Sequence, residues 1–117
     1  MQHMILIYSD ESVESQMSQD DWQTLLEAHN QFGVKYKGKV KGGDALDPTN
    51  TAKTIRLSGG AKTVVDGPFA ETKEQLGGYY LVDVDSIDEA VAMAKDLPLA
   101  EHSSIEVRPV MDMSDKS

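Results

Sequence analysis

Cysteine is absent from this chain of 117 residues. Disulfides, thiolate nucleophiles and cysteine-ligated zinc are thereby excluded together. Long apolar runs are also missing. The longest covers a handful of residues, far short of the ~20 that a membrane-crossing helix needs. No stretch combines a charged start, an apolar middle and a small-residue cleavage site, so no secretory signal and no membrane partner are expected. A cytoplasmic protein is the economical expectation. Positive charge is scarce: 11 Lys and Arg stand against 20 Asp and Glu, a net charge of -9. Such a surface repels phosphate backbones, and direct nucleic-acid binding is not expected. Lys35, Lys37, Lys39 and Lys41 form a local basic run. Their spacing of two suits a solvated strand or loop edge, with an anion-binding rim as the alternative.

What is present suffices for a folded domain. Hydrophobic residues make up 39% of the chain, and a chain of this length buries roughly two-thirds of its unfolded surface. One domain over 1–111 is expected, followed by a polar tail over 112–117 expected to be disordered.

Hydrophobic periodicity orders the elements. Met4 to Tyr8 is short, apolar and β-prone, with Met1 to His3 a frayed start and His3 set aside as a site. Asp10 to Gln16 is polar and acidic, a loop. Ser18 with Asp20 and Asp21 behind it caps a helix whose stripe is Trp22, Leu25, Leu26, His29, Phe32 and Gly33, the last marking its end. Val40 to Leu46 is a weak strand bent at Gly42-Gly43. Thr54–Leu57 and Lys62–Val65 flank Ser58-Gly59-Gly60-Ala61, a hairpin signature. Tyr79 to Val84 is the next strand. Ser86-Ile87-Asp88-Glu89 is a capping box, and Pro98 stops the helix it opens. Ser104 to Val110 is the last strand.

This order is β-α-β, a hairpin, then β-α-β. It predicts an α+β fold of the ferredoxin-like split βαβ kind with an inserted β-hairpin. Both helices cover one sheet face. The other face, with Tyr8, Tyr79 and Leu81 as candidate members, stays bare in a monomer, and a homodimer that stacks two sheets is the natural cover.

Between hairpin and strand lies Asp66-Gly67-Pro68-Phe69-Ala70-Glu71-Thr72-Lys73-Glu74. It packs a turn signal, an aromatic, carboxylates and a lysine into one connection, more specification than a linker needs. Together with Gly77-Gly78-Tyr79-Tyr80 and Glu106-Val107-Arg108-Pro109-Val110, this run resembles the YCII-related proteins, in particular the subgroup named for its Asp-Gly-Pro-Phe motif. The resemblance extends from the Met4 strand to Val110. It implies a dimeric α+β barrel of ferredoxin-like protomers. It also implies a link to extracytoplasmic-function sigma factors, whose genes often neighbour those of the family. The founding members carry a His and an Asp proposed as an active pair. His29 is the nearest histidine here, and Asp44 or Asp47 stands where the partner would be.

The candidate chemistry is small. His29 lies in an apolar stripe. It is either a packed histidine with one hydrogen bond or a general acid–base that needs a carboxylate to orient it, with Asp66 the expected partner. Asp66 is either a turn-former before Gly67-Pro68 or a ligand contact. Phe69 is expected to plug the space under the loop. Thr72 is expected to cap a short helical turn, bringing Glu71 and Glu74 side by side, where they either stay solvated and salt-bridge Lys73 or Arg108, or share a proton or bind a cation. Arg108 is also suited to grip an anion. Glu71, Lys73, Glu74, Tyr79 and Arg108 are thus the candidate substrate-binding set, with His29 and Asp66 the candidate catalytic pair. His102 is expected to be solvated. No metal site and no cofactor are expected. Two functions stay open: a small-molecule enzyme or binder with a His–carboxylate site, and a non-enzymatic accessory or regulatory dimer acting with a sigma factor.

Overall fold

Alternating apolar side chains build four strands that pair into one antiparallel sheet. In the computed structural model, which describes residues 1–115, these are β1 (Gln2–Ser9), β2 (Val40–Ala45), β5 (Gln75–Asp83) and β6 (Ser103–Pro109). Their order is β2-β5-β1-β6. Strands β3 (Lys53–Ser58) and β4 (Ala61–Asp66) form a separate two-stranded hairpin. Among the described residues there are three α-helices, α1 (Glu11–Glu14), α2 (Gln19–Lys35) and α3 (Ile87–Ala94), besides short 3-10 turns. This mixed α+β arrangement is compatible with the ferredoxin-like plan. No helix among the described residues is long and apolar enough to cross a membrane.

The core lies between one sheet face and the helices. Ile5 and Val82 from the sheet meet Phe32 of α2 and Ala90, Met93 and Ala94 of α3, with Val84 and Leu97 closing the edge. Two serines set the helix starts. The Ser18 hydroxyl accepts from the Asp21 N–H at 3.1 Å, and the Ser86 hydroxyl accepts from the Glu89 N–H at 3.1 Å. Each cap satisfies an amide that the first turn leaves without a helical partner. Glu89 returns its carboxylate to the Asp85 N–H at 3.0 Å, one residue further back than a standard capping box.

Several boundaries differ from those expected. The chain start is not frayed: β1 opens at Gln2, because β5 pairs with His3 on one side and β6 on the other. His3 is fully buried, and the Met1 amine pairs with Asp83 at 2.9 Å. The acidic loop after β1 contains α1, since Asp10 caps it by accepting from the Ser12 N–H at 3.0 Å. Helix α2 runs past Gly33 to Lys35, and Tyr36 caps it. Helix α3 ends at Ala94, before Pro98. In the expected disordered tail, Met113–Asp115 forms a 3-10 turn, while 116–117 lie outside the described residues.

The hairpin stands apart from the body. Its turn is Gly59-Gly60 with φ of +60° and +83°, the left-handed pair that a two-residue hairpin needs. The hydrogen bonds at its base stay within the hairpin and its flanks. Gly67 N–H donates to Ala52 O at 2.7 Å, and Thr54 Oγ1 donates to Gly67 O at 2.7 Å. The radius of gyration is 16.5 Å, against about 13 Å for a compact chain of this length.

These packing roles predict a ranking of stability losses. Ile5→Ala, at a fully buried position, should cost about 2–5 kcal/mol. Ser86→Ala, which removes only the α3 cap, should cost about 1 kcal/mol. Urea denaturation of both variants checks the order, and equal losses would contradict it.

Candidate functional site

Helix α2 meets the sheet unevenly. Its C-terminal half packs closely: the Phe32 ring lies 4.8 Å from Tyr80 and 5.1 Å from Tyr36, centroid to centroid, both tilted. Its N-terminal half stands off, and Trp22 and Leu26 of the expected buried stripe each keep 45% exposure. A cavity of about 410 Å³ fills the gap. On the sheet side it is bordered by Gly43, Ala45, Gly77 and Gly78, so the space is what larger side chains would otherwise occupy. The walls are mainly apolar, from Ile7, Met17, Trp22, Leu25, Leu26 and Leu99.

His29 and Tyr80 supply the polar feature of this wall. His29 Nδ1 and the Tyr80 hydroxyl are 2.8 Å apart, and the two rings stack at 5.8 Å. Burial lowers the His29 pKa from its usual value, and burial raises that of Tyr80. Both groups are therefore uncharged at neutral pH. One shared proton allows two arrangements. If Tyr80 donates, His29 presents an Nε2–H donor; if Nδ1–H donates, Nε2 presents a lone pair.

Gly43 makes this pairing possible. It sits opposite Tyr80 in the β2–β5 register. A Cβ there would lie 2.7 Å from Tyr80 Cδ1 and 2.7 Å from Tyr79 O. Bare backbone at 43 lets the Tyr80 ring lie across β2 toward α2. The bend expected at Gly42-Gly43 is present as a register shift between Val40 and Gly42.

Helix α1 bounds another side of the cavity through Glu14. It is tied in place. Glu11 Oε1 accepts from the Thr49 N–H at 2.9 Å, and its Oε2 accepts from Thr49 Oγ1 at 2.8 Å. The Glu11 N–H donates to Gln75 Oε1 at 3.2 Å.

The expected site residues do not assemble around His29. Asp66 ends β4 and pairs with Lys53 at 2.5 Å, both side chains exposed. It does not border the cavity. Gly67 takes φ +94° and carries the turn. Phe69 is 72% exposed rather than a plug, and its carbonyl accepts from the Arg56 guanidinium. Thr72 starts no helix; its hydroxyl donates to Glu74 O at 2.7 Å, so Glu71 and Glu74 are not helical neighbours. Among the described residues, Glu71, Lys73, Glu74 and Arg108 form no ion pair. Glu74 Oε1 is enclosed without a hydrogen-bond partner. Arg108 pairs in register with Met4, on the face turned away from the helices. Tyr79 lies opposite Leu6 and Asp44 in register, so its side chain is on the face turned away from the helices, where its hydroxyl donates to Asp44 Oδ2 at 2.9 Å, which raises its pKa. Asp44 is thus held by Tyr79 rather than by His29.

Tyr80 is a cavity residue that no sequence motif marks, and His102, expected to be solvated, is half-buried at the cavity. Tyr80 lies 51 positions from His29, and no local pattern joins them. His102 borders the cavity because its carbonyl accepts from the Asp10 N–H at 3.0 Å, drawing its loop against α1. No group of three or more His, Cys, Asp or Glu that could hold a metal occurs among the described residues.

The family model of the YCII-related domain matches residues 1–114. An uncharacterised protein of Rhizobium meliloti (strain 1021) is 45% identical over 114 residues, covering 94% of this chain and 92% of the relative.

The burial of His29 fixes the sign of a pH effect. Its folded-state pKa is lowered, so its contribution to stability is complete above about pH 6.5 and is lost as pH falls through the lower folded value. Site-resolved NMR should show His29 titrating below its ordinary value. Gly43→Ala should break the Tyr80 contact and cost about 1–3 kcal/mol. An unchanged His29–Tyr80 pair in that variant would contradict the clearance argument.

Proposed function

This chain belongs to the YCII-related domain family, and we propose that its cavity beside His29 binds a small uncharged molecule. One observation carries the reading: the 2.8 Å His29–Tyr80 pair on the wall of an apolar cavity. With Nδ1 engaged, Nε2 is the atom that addresses a ligand's hydroxyl or carbonyl. Pockets that bind small molecules share this plan of apolar walls with few placed polar groups.

Charge sets the ligand class. No lysine or arginine borders the cavity among the described residues, whereas Glu14 does. A carboxylate or phosphate ligand would lack the cationic partner that a desolvated anion requires. His29 also lacks a carboxylate to stabilise its imidazolium. It acts as a neutral hydrogen-bonding group, and as a base only toward an acidic proton such as one beside a carbonyl.

The same reading includes a homodimer. Met4, Leu6 and Leu81 lie in register across β1 and β5 on the face opposite the core, and Tyr8 joins them on β1. An apolar face without helices calls for cover, and stacking two copies supplies it symmetrically.

Matched ring compounds test the cavity. 2-Naphthol should bind more tightly than 2-naphthoate by about tenfold or more, followed by ligand-observed NMR. Ala45→Phe should abolish binding by filling the cavity, and His29→Phe should weaken it by about tenfold. Equal binding of the carboxylate, or binding undisturbed by Ala45→Phe, would overturn the reading.

A further inference from the structure

The β3–β4 arm carries features that the cavity does not use. Directly opposed residues of an antiparallel pair share a face. The Ile55–Val64 and Leu57–Lys62 pairs therefore put three apolar side chains on one side of the arm. Ile55, Leu57 and Val64 are 68%, 72% and 64% exposed. An isolated hairpin is marginal in water, and large apolar residues exposed together on one mark a surface that is covered in use.

Charge selects the occupant. Residues 53–66 hold three bases, Lys53, Arg56 and Lys62, and one acid, Asp66. The whole chain has 11 bases and 20 acids, which leaves eight bases against nineteen acids for the rest. The arm is thus a basic, apolar projection from an acidic body. The body of another copy offers it an oppositely charged surface, and the bare sheet face offers apolar area in the same molecule. A C2 pairing buries both surfaces in both copies by one operation.

We propose that the β3–β4 arm is a clasp that seats on the body of a second copy of this chain. The proposal rests on the homodimer reading above, and the experiment separates the two. Mixed 14N- and 15N-labelled full-length protein, with benzoylphenylalanine at position 57, is photolysed and the cross-linked peptides are identified. Links from the arm of one label to the body of the other are expected. In sedimentation equilibrium, Ile55→Thr/Leu57→Thr should weaken the dimer by about tenfold or more. Lys62→Glu should weaken it too, with the larger effect at low salt. Far-UV circular dichroism confirms that the variants fold. A wild-type chain that stays monomeric would overturn both the dimer and the clasp. A dimer of unchanged affinity in the arm variants, with links confined to a single label, would overturn the clasp alone.

Discussion

Tyr80 can reach α2 only because the strand beside it carries no side chain at position 43. Its ring crosses β2 where a Cβ would stand 2.7 Å away, a separation that packed atoms do not tolerate. From there it contacts Phe32 on one side and His29 on the other. The aromatic file continues to Tyr36, whose hydroxyl donates to Asp96 beside the Lys35–Asp96 ion pair of 2.7 Å. One close approach of backbone to ring therefore anchors α2 at its C-terminal end. The N-terminal end, with small residues beneath it, stays clear of the sheet.

The cavity follows from that tilt, and its chemistry follows from burial. An imidazole placed among apolar walls without a carboxylate beside it is held neutral. A phenol in the same place is held protonated. The pair is a source of direction more than of charge. Glu14 at the border and the absence of a bordering cation, among the described residues, extend the same preference to the ligand.

Much of the architecture was legible in local sequence. Ser18 and Ser86 announced the main helices, and Gly59-Gly60 announced the hairpin turn, because caps and tight turns depend on residues a few positions apart. The site was less legible. Asp66 looked like a partner for His29, but the β3–β4 register places it against Lys53. Phe69 looked like a plug, yet the arm offers nothing for it to sit against. His3 looked frayed because its burial comes from strands supplied by β5 and β6 much later in the chain. The His29–Tyr80 pair could not be seen locally at all, since a helix and a strand from different parts of the chain create it. Gly42-Gly43 gave the one local hint, a bend whose purpose appears only with Tyr80 in place.

The most direct measurement is the pair of 15N shifts of the His29 ring, recorded by long-range proton–nitrogen correlation at neutral pH with and without saturating 2-naphthol. The expected result is a neutral ring whose Nε2 shift moves on binding while Nδ1 stays paired with Tyr80. A ring that is protonated, or one whose Nε2 is untouched by a ligand bound in the cavity, would contradict it.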